Sequence, residues 1–189
     1  MYIRFDVLRV LEERNAKRMI ILIAGASHTG KTVLAQKLLE KYKYPYLSID
    51  HLKMGLIRSG RCPLNPKSNE SELTSHLWPI VKEIIKTCIE NSQNMIIEGC
   101  YIPFSWQEDF IPEYLRYIKY ICLIFSEQYI KNNFASILSH ENIIEKRLPT
   151  ALTIEELCKT NKYNLDQCKF HNYKYILIDS VYQVGIDKL

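Results

Sequence analysis

Eight consecutive residues near the start of the chain have the types and the spacing that bind phosphate. They read Gly25-Ala26-Ser27-His28-Thr29-Gly30-Lys31-Thr32 and match G-x-x-x-x-G-K-[ST] at every fixed position. Backbone N–H groups of such a loop point toward phosphate oxygens, and the positive end of the following helix adds to the attraction. We expect Lys31 to reach the terminal phosphates of a nucleoside triphosphate and the Thr32 hydroxyl to ligate Mg²⁺.

The match is difficult to obtain by chance. With ordinary residue usage, the pattern arises in roughly one chain in a hundred of this length. Its setting is also the one that the mechanism needs, because a β-branched segment precedes the loop and an amphipathic helical pattern follows it. We therefore assign residues 25–32 to nucleotide binding, with ATP and Mg²⁺ as the expected cofactors. His28 occupies a variable loop position and is given no chemistry of its own.

Two carboxylates follow predicted strands. Asp50 closes the segment YPYLSID, and Glu98 closes NMIIE. Ligands of open α/β sheets bind outside the carboxyl ends of the strands. A phosphoryl-transfer site needs one carboxylate to orient or deprotonate the attacking hydroxyl and another near Mg²⁺. We predict that Asp50 is the base and that Glu98 serves the metal with Thr32. The reverse assignment and a helix-capping role for Asp50 stay open.

The elements that position these residues follow from the apolar pattern. Each predicted strand is separated from the next by enough chain for a helix, as parallel sheets require. One such helix is indicated by the apolar stripe from Leu73 to Ile89. The sequence therefore predicts a three-layer α/β fold with a five-stranded parallel sheet. The five predicted strands are 19–24, 45–49, 94–97, 117–125 and 173–178.

Length and composition limit the remaining possibilities. A chain of 189 residues with 47% apolar residues favours a single domain spanning 1–189. No apolar run is long enough to span a membrane, and residues 1–18 resemble a charged helical extension rather than a secretory signal, so we expect a cytoplasmic protein. The six cysteines include no CxxC pair and are expected to be reduced. The net charge of +4 includes no Lys/Arg block typical of nucleic-acid binding.

The loop, Asp50 and the Glu98-Gly99 pair together resemble the P-loop kinases of small molecules, the nucleoside monophosphate kinase-like group. Where adenylate kinase-like proteins carry S-T-G-D-M-L-R and D-G-F-P-R, this chain reads SIDHLKMGLIRSG and EGCYIP. Met54 stands where the first phosphate-binding arginine belongs, and no arginine follows Gly99 at the place of the second. The resemblance nevertheless implies the P-loop kinase fold, ATP and Mg²⁺.

Two details are similar to kinases with hydroxyl acceptors. An Asp that closes the second strand looks like the catalytic base of shikimate kinase-like and chloramphenicol phosphotransferase-like enzymes. The phrase IIEGCYIP is similar to the E-G-x-H-x-x-P element of 2-phosphoglycerate kinases, with Tyr101 in place of the histidine. The resemblance therefore implies an ATP-dependent phosphotransferase acting on a hydroxyl of a small molecule.

The resemblance also implies a lid after the fourth strand, at about 126–148 of this sequence, whose basic residues close over the phosphates and exclude water. Arg147 is our choice for a catalytic role, because a planar guanidinium suits a transferring phosphoryl group. Lys53 and Arg58, on the helix after the second strand, are candidates to face an acidic acceptor. The basic lid candidates are Lys131, Lys146 and Arg147.

Other functions remain open on sequence grounds. A nucleoside monophosphate kinase-like enzyme, a P-loop nucleotide-binding protein or NTPase without kinase activity, and a polynucleotide kinase share the same loop. A polynucleotide kinase needs a basic, aromatic-lined groove, whereas the 13 tyrosines are interspersed within predicted strands. We therefore expect a nucleoside triphosphate and a small-molecule phosphate acceptor as partners, and neither nucleic acid nor a membrane.

Overall fold

The computed structural model describes residues 19–139, 152–182 and 184. The predicted extension 1–18 and the basic residues Lys146 and Arg147 lie outside the described residues. The strands are β1 Ile20–Gly25, β2 Tyr46–Ser48, β3 Met95–Glu98, β4 Ile118–Phe125 and β5 Tyr175–Ile178. The helices are α1 Lys31–Tyr42, α2 Ile49–Arg58, α3 Glu70–Glu90, α4 Pro112–Leu115, α5 Glu127–Ser139 and α6 Ile154–Phe170, with a 3₁₀ turn at Trp106–Asp109.

The five strands form one parallel sheet in the order β2-β3-β1-β4-β5. β1 is central, and its first residue, Ile20, pairs with Met95 of β3 and Ile118 of β4. The α/β fold with a five-stranded parallel sheet is thus confirmed. Because β1 lies in the middle, the loop that follows Gly25 emerges at the centre of the carboxyl edge of the sheet.

Helices cover both faces of the sheet, which gives three layers. Alternate residues of β1 enter different cores, as the period of two in a strand requires. Leu22 belongs to the core that includes residues of α3 and the aromatic segment after β3, whereas Ile23 belongs to the core that includes residues of α1 and α5. All residues of β1 are buried, so the strand that carries the phosphate loop is held on every side.

The second strand is shorter than the sequence predicts. Ile49 and Asp50 belong to the first turn of α2, and Ser48 is the N-cap residue. Among the strands that the structure describes, β2 pairs only with β3, and the pairing stops at Ser48 opposite Glu98, where β3 also ends. Ile49 is fully buried, and its apolar character imitates a continuing strand. Asp50 therefore projects from a helix start beside the carboxyl edge rather than from the strand itself.

Within the described part of the chain, no helix combines the length and the apolar character needed to cross a membrane. The six cysteines are all free thiols, as the sequence predicts.

Candidate active site

Two glycines determine the shape of the phosphate loop. Gly25 has φ 143° and Gly30 has φ 82°, both in the region that favours glycine. A Cβ on Gly25 would lie 2.5 Å from Leu123 O of β4, and one on Gly30 would lie 1.8 Å from Tyr182 Oη. The loop thus passes close to β4 at Gly25 and to the Tyr182 side chain at Gly30. A backbone cradle with glycine at both ends fits the binding of phosphate groups.

The inside of the loop closes on one carbonyl. Ala26 O accepts hydrogen bonds from Thr29 Oγ1 at 2.8 Å and from Lys31 Nζ at 2.7 Å. Lys31 is buried and is the first residue of α1. The first turn of a helix has N–H groups without helical acceptors. The Lys31 ammonium and these N–H groups therefore lie together at the start of α1, an arrangement that suits an anionic ligand.

The predicted metal ligands are in contact with each other. Thr32 Oγ1 donates to Glu98 Oε1 at 3.3 Å. Glu98 is only 1% exposed and pairs across the sheet with Ile23 of β1 and Ser48 of β2. A hydroxyl and a carboxylate are hard oxygen donors of the kind Mg²⁺ prefers, and Mg²⁺ commonly takes few protein ligands beside water and phosphate. The donor set fits this ion, and the described residues contain no group of three His, Cys, Asp or Glu side chains that would indicate another metal.

Asp50 is the partner of a buried lysine. Lys53 Nζ lies 2.5 Å from Asp50 Oδ1 and donates to Tyr101 Oη at 2.9 Å. Burial lowers the pKa of Lys53, but the Asp50 carboxylate and the two hydrogen bonds outweigh burial, so that the pKa is raised. Lys53 is thus a charged partner of Asp50. Arg58, the other basic residue of α2 singled out from the sequence, is exposed at the helix end.

Two residues of this region were not recognised in the sequence. Burial raises the pKa of Glu70, which the charges of Lys31 and Lys53 lower and that of Asp50 raises. Burial likewise raises the pKa of the Cys100 thiol, and its hydrogen bond with Lys31 lowers it in part. Because these charged groups act on one another, the phosphate loop, the start of α2 and the start of α3 must lie around one opening.

A cleft of about 680 Å³ adjoins this opening. It runs from Gly25 between the first half of α3, the segment after β3 and the second half of α6. One wall is fixed by Asp109, whose carboxylate accepts from Trp78 Nε1 at 2.7 Å and from Lys82 Nζ at 2.6 Å. The lining also carries aromatic rings, with Phe104 edge-to-face against Tyr163 at 5.8 Å between ring centroids. The volume falls within the usual range of small-molecule sites.

A tyrosine from the segment after β5 covers the phosphate loop. Tyr182 Oη donates to Thr29 O at 3.3 Å, and its ring meets that of Phe125 edge-to-face. Burial raises the pKa of Tyr182 to about 12. The sequence offered no motif for this contact, because it joins residues from opposite ends of the chain.

Of the three basic lid candidates, Lys131 lies within the described residues. Lys131 lies on α5, is exposed and forms an ion pair with Glu127 at 2.6 Å. Pairs of this kind, four residues apart on a helix surface, are common solvated contacts. Lys146 and Arg147 lie outside the described residues, so the catalytic role of Arg147 stays a prediction.

Of the comparisons with known proteins, only the search of solved structures finds similar proteins. The sequence matches no protein-family model, and a search of the curated proteins finds no match. Among solved structures, a proposed kinase from Chloroflexus aurantiacus has a TM-score of 0.55 at 17% identity, with 91% of this chain and 93% of that chain covered. A gluconokinase from Sinorhizobium meliloti has a TM-score of 0.51 at 15% identity, covering 89% and 86%. The chain shares the fold of these two structures.

A third similar structure is an RNA repair complex, Pnkp1/Rnl/Hen1, with a TM-score of 0.51 at 15% identity. The match covers 82% of this chain and 47% of that one. Since one fold hosts many activities, this likeness leaves the class of acceptor to be argued from the site.

Proposed function

We propose that the protein is an ATP-dependent phosphotransferase that acts on a hydroxyl group of a small molecule. The observation that carries the proposal is the contact between Thr32 and Glu98. It joins the start of α1, which ends the phosphate loop, to the end of β3, and so brings a carboxylate to the loop. Asp50 belongs to the first turn of α2, directly after β2 and beside β3. A nucleotide in the loop and a base on the same sheet edge are the two parts that such a transfer requires.

Each residue has a role that its chemistry supports. Lys31 binds the terminal phosphates of the nucleotide, and the Asp50 carboxylate accepts the proton of the acceptor hydroxyl. The hydroxyl oxygen then bonds to the γ-phosphorus, the bond from that phosphorus to the bridging oxygen breaks, and ADP leaves. Thr32 and Glu98 would hold Mg²⁺ directly or through its waters, where the ion neutralises phosphate charge. We also propose that Arg147 approaches the transferring phosphoryl group.

The cleft beside the loop favours a kinase over a simple NTPase. A hydrolase needs only water as its second substrate, whereas this cleft has a volume of about 680 Å³ and opens from Gly25. A gluconokinase among the similar structures is consistent with a small-molecule acceptor. The cleft is therefore the proposed acceptor site.

Nucleotide binding is the first test. Calorimetry of the wild-type protein with ATP at millimolar Mg²⁺ should show binding, and Lys31→Ala should weaken it by about tenfold or more. Lys37→Ala is the matched control, because Lys37 is exposed on the same helix. Absence of binding by the wild-type protein would contradict the proposal.

The acceptor class needs a separate screen. Labelled ATP and Mg²⁺ are incubated with neutral hydroxylated compounds, organic acids, nucleoside monophosphates and an RNA oligonucleotide with a free 5′-hydroxyl. A labelled alcohol, sugar or hydroxy acid supports the proposal. A labelled nucleoside monophosphate or labelled RNA assigns one of the alternative kinase classes, and release of phosphate without any labelled acceptor assigns an NTPase.

A further inference from the structure

We infer that the acceptor carries no carboxylate or phosphate group and enters the cleft as a hydroxylated compound with an apolar ring face. The inference rests on the proposed function, since it takes the cleft as the acceptor site. Among the described residues that line the cleft, there is no lysine and no arginine, whereas Glu70 and Asp109 are both acidic. An acidic acceptor would therefore find no lysine or arginine among these side chains to balance its charge.

Three lysines around the active-site opening and the cleft wall are already engaged. Lys82 bonds to Asp109 at 2.6 Å, and Lys53 bonds to Asp50 at 2.5 Å. Lys31 donates to Ala26 O and is the residue assigned to the nucleotide phosphates. An anionic group in the cleft would have to take one of these ammonium groups from its present partner or lose its hydration without compensation, and either process is costly.

The rest of the lining suits a neutral ring with hydroxyl groups. Phe104 contacts the Tyr163 ring edge-to-face, and its own ring stacks on that of His171 at an interplanar angle of 10°. Tyr163 is 56% exposed, so its ring is accessible. Aromatic faces bind apolar ring surfaces, and short hydroxyl and amide side chains bind hydroxyl groups. The polar side chains along the cleft include Ser71, Thr74, Thr160, Asn164 and Gln167.

Matched pairs of probes test this selectivity directly. Phenyl β-D-glucoside is compared with phenyl β-D-glucuronide, and cytidine with its 5′-monophosphate, so that each pair differs in one anionic group. A non-hydrolysable ATP analogue and Mg²⁺ are present in excess, because the phosphate loop would otherwise bind the phosphorylated probe. Ligand-observed NMR should show that the neutral member of at least one pair binds about tenfold more tightly than its anionic counterpart.

Two variants locate the binding. Tyr163→Ala should lower the affinity for the neutral probe. Phe170→Ala should leave that affinity unchanged, because Phe170 is an 81% exposed aromatic residue of the same helix outside the cleft lining. Gln167→Lys puts a cation into the cleft and should reduce or reverse the preference for the neutral probe. Gln128→Lys on α5 is its matched control.

Equal or tighter binding of the anionic probes would overturn the inference, and would show that a cation from outside the described lining reaches the cleft. Failure of every neutral probe to bind also counts against it. These outcomes are separate from failure of the proposed function. That failure would appear as no ATP binding or no phosphoryl transfer to any acceptor, whereas probe selectivity is measured without turnover.

Discussion

Lys53 Nζ and Asp50 Oδ1 are 2.5 Å apart, and Tyr101 Oη lies 2.9 Å from the same nitrogen. Asp50 and Lys53 are one helical turn apart at the start of α2, and Tyr101 follows β3. The lysine therefore connects the segments after two adjacent strands and fixes one oxygen of the proposed base. We regard Lys53 as a positioning residue, which acts on the reaction through Asp50.

Asp50→Asn should lower phosphoryl transfer by roughly 10²-fold or more and change ATP affinity little. The amide keeps the shape of the side chain but cannot take the proton. Transfer rates and ATP affinity are measured on the same preparations, with Asp166→Asn on the exposed face of α6 as the matched control. Near-normal transfer by Asp50→Asn would rule out the assignment as base.

Lys53→Met should move the acid limb of the pH–rate profile toward higher pH. The ammonium favours the ionised form of Asp50, so its removal raises the pKa of the proposed base. Because the Asp50 carboxylate is also no longer held in position, we expect the rate near neutral pH to fall by about tenfold. Lys37→Met controls for the loss of a lysine. A lower rate with an unshifted profile would mean that Lys53 has only a structural role.

Glu98→Gln should raise the Mg²⁺ concentration needed for half-maximal activity by about tenfold or more. Glutamine can still accept the hydrogen bond from Thr32, so the fold should be retained, but the charge that attracts the cation is lost. The measurement is a Mg²⁺ titration of transfer at fixed ATP, with Glu83→Gln, an exposed residue of α3, as control. An unchanged midpoint would exclude Glu98 from the metal site.

Lowering the pH should remove the contribution that the Asp109 carboxylate makes to the stability of the fold. Burial raises the pKa of this carboxyl, but the hydrogen bonds from Lys82 and Trp78 outweigh it, so the pKa is below its ordinary value of 3.8. A depressed carboxyl pKa stabilises the fold above the unfolded-state value, and this contribution disappears as the pH falls through the folded-state value. Because the pair is partly exposed, the contribution is about 1 kcal/mol or less.

The corresponding measurement is urea unfolding at about pH 7 and about pH 3.5. The free energy of unfolding of the wild-type protein should decrease more between these conditions than that of Asp109→Asn. Equal decreases for both proteins would show that the Asp109 carboxylate makes no pH-dependent contribution.

The phosphate loop and the sheet were predictable because they rest on local signals. Glycines at the ends of the loop, apolar runs of strand length and helical spacing after Lys31 are all visible within short windows of sequence. The strand order, with β1 at the centre, is a finding of the structure. The strand predicted at 45–49 extends too far because a buried Ile49 has the same apolar character in the first turn of a helix as in a strand.

The contacts that shape the site were not predictable in the same way. Lys53 was a candidate to face an acidic acceptor, and its contact with Tyr101 depends on two strands being neighbours. Glu70 and Cys100 come to the opening only after α3 packs beside the segment that follows β3. The cleft is formed by elements distant in sequence, so no periodic pattern in the sequence predicts which charged side chains line it.

The central position of β1 affects how the protein is made. β1 leaves the ribosome before the other four strands, but its partners begin only at Met95 and Ile118. A nascent chain shorter than about the end of β4 has the phosphate-loop residues without the two strands that hold them in place. Nucleotide can stabilise only chains in which the site has formed. If the loop binds ATP as proposed, cellular ATP should therefore begin to protect the growing polypeptide from proteolysis only after its fourth strand has docked.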